Sequence, residues 1–195
     1  MKKVLLSVAV LAMVFTVSNA SMAAGKMSLS VGADVLLPMG TFGDGYSTGF
    51  GGSVRGQYDV TPMFSGGLTV GYYVWSGKDV GGFTVPNFKG LPIRVFGKYY
   101  FMPEGEKVRV YGIAELGLFF ASVDVPEQTI GGYTIGGGSV SETDFNYAPG
   151  VGAEFGLGSG NTKLDVSIRY DGVSATGGSN GSIGARVGVN FPLGN

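Results

Sequence analysis

Residues 108–120 read VRVYGIAELGLFF, a stretch in which apolar side chains alternate with polar or small ones. Val110 and Leu116 fall on one face of an extended chain, whereas Arg109 and Glu115 fall on the other. Because successive side chains of a β-strand point to opposite faces, this period of two predicts a strand with one apolar and one polar face. A single strand of this kind is not stable alone, so we expect partners with the same alternation.

Seven further stretches show this alternation and extend the prediction to eight strands. They lie near residues 28–37, 50–60, 64–75, 91–101, 145–157, 164–171 and 182–191. The sixth strand in chain order contains Pro149, which has no amide hydrogen to donate to a neighbouring strand. We therefore expect a bulge, or the rim of a membrane, at that residue.

The connections between these strands alternate strictly between long and short. Short turns are expected at residues 61–62, 102–107 and 158–161, and long, Gly-rich, polar loops at 38–49, 76–90, 122–144 and 172–181. Outer-membrane barrels have an even number of antiparallel strands, short periplasmic turns and longer extracellular loops. The sequence thus predicts an all-β fold, an eight-stranded antiparallel up-and-down transmembrane β-barrel, with its strands within residues 28–191.

The first residues have the pattern of an export signal. Lys2 and Lys3 precede an apolar run over residues 4–17, and small residues end at Ala20 and Ala23. The run is shorter than the roughly 20 apolar residues that a transmembrane helix needs. We expect residues 1–20 to be a signal peptide, with cleavage after residue 23 as the alternative, and residues 21–195 to form one domain.

Composition narrows the chemistry that the protein can perform. The chain has neither cysteine nor histidine, which excludes disulfides, thiol nucleophiles, Ser-His-Asp triads and the commonest zinc ligands. Without Lys2 and Lys3 it carries 11 basic against 14 acidic side chains, so no nucleic-acid partner is expected. Charged residues make up 14% of the chain, against about 25% in soluble domains. We predict no enzymatic activity and no cofactor.

Every charge within the predicted strands falls on the face opposite the aliphatic residues, Asp171 included. Because an eight-stranded barrel is just wide enough for side chains to fill its interior, these charges predict a packed, nearly neutral network in the lumen. Its expected members are Asp34, Arg55, Asp59, Arg94, Lys98, Arg109, Glu115, Glu154, Asp165, Arg169 and Arg186. A gate in a narrow conducting path is the alternative role for these side chains.

One ion pair within this network follows from an assumed register. If the turn at 102–107 pairs Phe101 with Val108, Arg94 lies directly across from Glu115 on the inner face. Such a pair, in a site of reduced dielectric, would be a charge-assisted hydrogen bond.

Aromatic residues cluster near the strand ends on the apolar face, as expected of girdles at the two interfaces of a membrane. The expected girdle residues are Tyr58, Phe64, Tyr99, Phe101, Phe155 and Phe191 near the short turns, and Tyr72, Phe145, Tyr147 and Tyr170 near the long loops. A soluble lipocalin-like barrel is the competing fold, with these charges on its exterior and the apolar face inside. Loop asymmetry, the export signal and the girdles favour the membrane barrel.

Residues 186–191, RVGVNF, alternate apolar side chains and end in an aromatic. This motif resembles the C-terminal insertion signal of the small outer-membrane β-barrel family that includes the OmpA membrane domain and OmpX. The likeness covers residues 28–191 and is one of architecture, and residues 192–195 extend beyond the aromatic at which family members commonly stop. The resemblance implies an outer-membrane location, contact with membrane lipid and lipopolysaccharide, and recognition by the barrel assembly machinery through the last strand.

The long loops are the candidates for function. Their acidic residues offer ligands to divalent cations that bridge lipopolysaccharide, and their scattered aromatics, among them Phe42, Tyr46 and Phe88, offer contacts to an extracellular partner. We predict a monomeric, non-enzymatic outer-membrane barrel with a structural or surface-interaction role through four long extracellular loops. A narrow channel for ions or small hydrophobic molecules, and a soluble ligand-binding barrel, are the alternatives.

Overall fold

The computed structural model describes residues 25–125, 128–130, 133–135, 137–158, 161–175 and 178–193, so the predicted signal peptide lies outside the described residues. Eight antiparallel strands close into a barrel in which each strand pairs with the next and the last pairs with the first. These strands are β1 (Met27–Met39), β2 (Tyr46–Thr61), β3 (Phe64–Gly77), β6 (Phe88–Tyr100), β7 (Val108–Val125), β10 (Gly138–Gly156), β11 (Lys163–Ala175) and β12 (Gly178–Leu193). The predicted eight-stranded up-and-down barrel is confirmed.

The two ends of the barrel differ in their connections. The end that we call the turn end carries the connections at residues 62–63, 101–107 and 157–162. The opposite end, which we call the α1 end, carries the remaining elements: the short helix α1 (Gly40–Gly45) and two small hairpins, β4 (Asp79–Val80) with β5 (Phe83–Thr84) and β8 (Gln128–Ile130) with β9 (Tyr133–Ile135). Among the described residues, no helix is long and apolar enough to cross a membrane.

The strands run further toward the α1 end than the sequence predicts. β7 and β10 remain paired up to Val125 opposite Gly138, and β11 and β12 up to Ala175 opposite Gly178. The predicted long loop at 172–181 is therefore wrong, because only residues 176–177 separate its two strands. Backbone hydrogen bonds continue here without apolar alternation, so the period-two pattern ends before the strands do.

The bulge expected at Pro149 is also absent from the sheet. Pro149 stays opposite Ala114 of β7, and the β10–β11 register is the same on both sides of the proline, at Tyr147 and at Gly150. Only the β11 side of the ladder is interrupted, since proline has no N–H to donate there. The missing donor affects only the pairing of β10 with β11, and the side chains of β10 stay on the same faces before and after Pro149.

Side-chain burial is inverted relative to a soluble barrel. Val31 and Ile168 on the outer face are 51% and 57% exposed, whereas Arg94 and Arg186 on the inner face are fully buried. A soluble ligand-carrying barrel needs a polar exterior. An exposed apolar surface of this extent must instead be covered by a lipid or protein surface. The burial pattern excludes the soluble alternative and matches a barrel surrounded by lipid.

A matched pair of arginine substitutions tests this surface. Val70 lies at the middle of β3 and Val60 lies beside the turn end of β2, and both are exposed on the outer face. We expect Val70→Arg to weaken folding into lipid vesicles by about 2–4 kcal/mol and Val60→Arg by about 0–1 kcal/mol, because the cost of a charge depends on its depth in the bilayer. Denaturant titrations of the folded fraction measure both, and equal costs would contradict a lipid-facing band.

Candidate functional site: the barrel lumen

The lumen is filled by buried ionic side chains, six cations and five anions among the described residues. They are Asp34, Arg55, Arg94, Lys98, Arg109, Glu115, Glu154, Asp165, Arg169, Asp171 and Arg186. All lie at alternate positions of their strands, on the face opposite the apolar residues, and the alternation itself therefore brings them into the barrel. A buried charge is costly unless it is paired, so their contacts determine whether the barrel is stable.

Asp165 of β11 lies at the centre of this network. Its Oδ1 contacts Arg186 at 3.1 Å and Arg55 at 3.6 Å, and its Oδ2 contacts Lys98 at 3.3 Å. The hydroxyl of Tyr111 donates a hydrogen bond of 2.8 Å to the same Oδ2. Four other strands thus contribute to the surroundings of one carboxylate.

Glu115 of β7 is the second shared carboxylate. Its Oε1 accepts a hydrogen bond of 2.6 Å from Arg55, and its Oε2 lies 3.0 Å from Nε of Arg94, a charge contact in which the N–H is not aligned for a hydrogen bond. The structure brings Arg94 and Glu115 together, but the predicted register is wrong: Arg94 faces Gly117 across the ladder, and Glu115 faces Phe96. A shift of two residues preserves the faces of both strands, and the long arginine side chain spans the remaining distance.

Toward the α1 end, two arginines share the next pair of carboxylates. Arg169 donates a hydrogen bond of 2.7 Å to Asp171 and lies 2.8 Å from Asp34, while Arg94 also donates to Asp171. The hydroxyl of Tyr73 accepts hydrogen bonds from Arg94 at 3.1 Å and from Arg169 at 3.0 Å. The chain of contacts is therefore continuous from Asp165 to this level of the lumen.

Toward the turn end, Glu154 continues the network. It contacts Lys98 at 2.9 Å and Lys163 at 3.2 Å, and it accepts hydrogen bonds from Tyr100 at 2.7 Å and Asn190 at 3.2 Å. Tyr100 in turn accepts a hydrogen bond of 3.1 Å from Gln57.

Two predicted members of the network lie at its margin. Asp59 is half-buried and accepts hydrogen bonds from Ser65 and Gln57, and Arg109 donates to the carbonyl oxygen of Pro62. Within the part of the chain that the structure describes, neither makes an ion pair. The β2–β3 turn thereby holds Arg109 through a carbonyl dipole in place of a carboxylate.

The predicted network contains charged side chains alone, but five neutral side chains on the same polar face join it. Tyr73, Tyr100 and Tyr111 bond to the charged groups, and Ser30 and Ser53 accept hydrogen bonds of 2.8 and 2.9 Å from Arg186. All five occur on the polar face by the same period of two. That signal was sufficient to place them in the lumen, although it does not specify their partners.

Above the ionic network, at the α1 end, the lumen becomes apolar. We call this level the apolar layer; its buried members are Leu36, Phe42, Tyr73, Trp75 and Phe119, with Tyr46, Phe88, Ala121 and Val173 packed against them. Ring centroids lie 5.7 Å apart for Phe42 and Trp75 and 6.1 Å apart for Phe88 and Phe119. The prediction that Phe42 offers a contact on the loop surface is wrong, because helix α1 turns its ring inward, whereas Tyr46 and Phe88 pack against the same layer and stay partly exposed.

At the turn end, Lys26 and Glu104 form an ion pair across the barrel mouth. Lys26 precedes β1, whereas Glu104 belongs to the turn between β6 and β7 on the opposite side of the barrel. The hydrogen bond from Lys26 holds the pKa of Glu104 below its usual value. Both side chains are exposed, so the pair contributes little to the stability of the fold.

The predicted girdle residues all lie on the outer face. Phe64, Tyr99, Phe101 and Phe191 at the turn end are 43–60% exposed. At the α1 end, Tyr147 packs against Phe145 and Tyr170, at centroid distances of 6.4 and 6.1 Å. Their role at the membrane interfaces stays a prediction.

The sequence and the fold match known outer-membrane proteins. A family model described as outer membrane protein beta-barrel domain matches residues 7–191. The chain belongs to this family. The membership indicates a location in the bacterial outer membrane and confirms the resemblance to small outer-membrane barrels. No curated protein sequence matches the chain.

Solved structures of the same architecture confirm the fold. Neisserial surface protein A is 20% identical, with a TM-score of 0.63 over 85% of this chain and 96% of that chain. A major outer membrane protein from Thermus thermophilus is 18% identical, with a TM-score of 0.61 over 87% and 100%. The outer membrane enzyme PagL is 17% identical, with a TM-score of 0.53 over 84% and 99%. At these identities the likeness shows the fold alone.

Removal of one shared carboxylate tests the network. We expect Glu115→Gln to destabilise the barrel by about 3–5 kcal/mol, because Arg55 and Arg94 lose a buried counter-charge. Glu115→Arg, which adds a third cation, should cost more. The measurement is the temperature at which the folded protein loses its compact migration on a cold denaturing gel.

Glu106→Gln is the matched control, because Glu106 is exposed in the turn between β6 and β7. Its unfolding temperature should equal that of the parent protein. An unchanged temperature for Glu115→Gln would show that the network contributes nothing to stability.

Proposed function

We propose that the protein is a non-enzymatic, non-conducting outer-membrane barrel whose role is structural or lies in contacts made by the surface at its α1 end. One observation supports this proposal most directly: the hydrogen bonds and ion pairs run without interruption from Gln57 near the turn end, through Asp165, to Asp171 near the α1 end. A lumen occupied in this way leaves the outer surfaces as the places of function.

A conducting path would have to pass through this network. The guanidinium groups of Arg55, Arg94 and Arg186 and their carboxylate partners are buried and contact each other across the barrel. An ion entering the lumen would have to separate paired charges in a site of low dielectric, which costs several kcal/mol per charge. The apolar layer adds a second obstacle above them. A narrow channel is therefore the less favoured function.

The absence of enzymatic activity is also part of the proposal. PagL is an enzyme with the same fold, so the fold alone does not decide the matter. This chain, however, contains neither histidine nor cysteine, and the buried carboxylates Glu115, Glu154 and Asp165 are held by cations. A carboxylate locked in an ion pair is a poor general base.

We place the α1 end outside the cell, because outer-membrane barrels keep their short turns in the periplasm. The exposed acidic residues at this end include Asp44, Asp79 and Glu142. Its two lysines are engaged: Lys78 donates to the carbonyl oxygen of Gly43, and Lys89 pairs with Asp124. The surface is therefore acidic and fits a positively charged partner, or divalent cations that bridge lipopolysaccharide.

The chain closes on itself, which supports a monomer. β12 pairs with β1 along the whole of β1, from Met27 opposite Leu193 to Met39 opposite Gly181. No barrel strand has a free edge to offer a second copy. Recognition of β12 by the assembly machinery would precede this closure.

Planar-bilayer recordings test the filled lumen. We expect the folded protein to give no discrete current steps, because its lumen is occupied by paired charges. A large porin added to the same bilayer afterwards controls for detection. Reproducible steps from the protein alone would overturn the proposal in favour of the channel.

Single cysteines test the orientation, since the chain has no cysteine of its own. Ser139 is exposed near the α1 end of β10, and Glu106 is exposed at the turn end. In intact Gram-negative cells, a membrane-impermeant maleimide should label Ser139→Cys and leave Glu106→Cys unlabelled until the outer membrane is opened. The reverse pattern would place the α1 end in the periplasm.

A further inference from the structure

A cavity of about 90 Å³ lies at the α1 end of the lumen, between the apolar layer and the strand ends. One water molecule needs roughly 10–15 Å³ of such space, so the cavity has room for a group of several heavy atoms. Trp75 and Phe119 form its apolar side and lie over glycines: a Cβ at Gly49 would be 2.4 Å from the indole of Trp75, and one at Gly90 would be 2.0 Å from the ring of Phe119. The position of both rings therefore depends on these glycines.

The lining beside Phe119 is acidic, because Asp144 of β10 lies directly across the ladder from Phe119 of β7. Asn146, Asp144 and Glu142 occupy alternate positions of β10 and form a column along its inner face, from the buried amide to the exposed carboxylate. No lysine or arginine lines the cavity, and no described cation contacts Asp144 or Glu142. This distinguishes them from the five buried carboxylates of the ionic network, each of which has a counter-charge.

The base of this column has a hydrogen-bond acceptor without a partner. Asn146 is 1% exposed, and its side-chain amide donates a 2.8 Å hydrogen bond to the carbonyl oxygen of Gly172. Its Oδ1 has no partner among the described residues. A buried acceptor without a donor costs free energy, so a ligand that carries N–H groups would be stabilised beside it.

We propose that this cavity binds a small hydrophobic ammonium ion, such as an arylalkylamine, with its apolar part against Trp75 and Phe119 and its nitrogen toward Asp144 and Glu142. An ammonium group supplies both the positive charge that the two carboxylates lack and the N–H donors that the amide oxygen lacks. The aromatic rings favour a cation near their faces as well as the apolar body. A carboxylate or phosphate ligand would be repelled by the same column.

This site is additional to the proposed surface role, because it lies within the barrel mouth and does not require a macromolecular partner. It is also compatible with a non-conducting lumen, since the paired Arg94, Arg169 and Asp171 lie directly beneath it. Ligand enters and leaves from the α1 end only.

The experiment uses Trp75 as its own reporter, because it is the only tryptophan of the chain. The folded protein in a zwitterionic detergent is titrated with 2-phenylethylamine, and tryptophan emission is followed on selective excitation. 2-Phenylethanol provides the same ring without a charge, and 3-phenylpropionate provides it with a negative charge. We expect the tryptophan emission to change saturably with the amine. The alcohol should bind at least about fivefold more weakly than the amine, and the carboxylate should not bind.

Substitution of the acidic column tests the assigned residues. The double variant Glu142→Gln/Asp144→Asn should weaken binding of the amine about tenfold and leave binding of the alcohol unchanged. Glu106→Gln, which removes an exposed carboxylate at the turn end, is the matched control and should bind both ligands as the parent protein does. Heat-dependent migration on a cold denaturing gel verifies that each variant is folded.

Three results would overturn the proposal. The first is a linear emission change without saturation, which indicates partition of the amine into micelles. The second is equal affinity of the protein for the amine and the alcohol. The third is undiminished binding of the amine by the folded double variant. Each leaves the proposed function unaffected, because conductance and labelling test the filled lumen and the orientation of the barrel independently of this cavity.

Discussion

Charge neutralisation inside a narrow barrel is the constraint on which the rest of this structure depends. The outer face that meets lipid must be apolar, so the buried ionic side chains are directed into a lumen that has little room for water. Asp165 shows the solution, since cations from β2, β6 and β12 surround it together with the hydroxyl of Tyr111. Tyrosine and serine hydroxyls of the inner face bond to the same groups, and glycines such as Gly32 and Gly188 leave room for the Arg186 side chain.

The alternation of side chains made the faces of all eight strands predictable. That pattern is strong because both sides of the barrel wall impose it, lipid on one and the ionic lumen on the other. The β6–β7 register was not predictable in the same way: Tyr100 lies opposite Tyr111, two residues from the expected pairing, because a seven-residue turn does not determine which residues meet above it. A displacement of two leaves every side chain on its proper face, so nothing in the pattern disagrees with either register.

The α1 end was harder to predict for the same physical reason. Beyond the apolar band both sides of a strand meet water, so apolar and polar side chains no longer need to alternate. The backbone pairing nevertheless continues, as at Val125 opposite Gly138. Phe42 belongs to a Gly-rich stretch that has no period at all, and only the turn of α1 directs its ring onto Trp75. The apolar layer and its cavity therefore depend on tertiary contacts that periodicity does not encode. PagL is an enzyme with the same fold, so individual side chains, more than the barrel, distinguish one protein of this fold from another.

The position of Arg186 has a consequence for biogenesis. It lies on the last strand, yet its guanidinium reaches Asp165 on β11 and the hydroxyls of Ser30 and Ser53 on the first two strands. Its bonds therefore cross the seam where the ends of the sheet meet, and they cannot all exist until β12 has joined β1. An open sheet would hold Asp34, Asp165 and their cations in water, and the last hairpin to arrive would expel that water. Seam closure and lumen dehydration are in this way a single event, so a partly closed intermediate gains little and the completed barrel resists reopening.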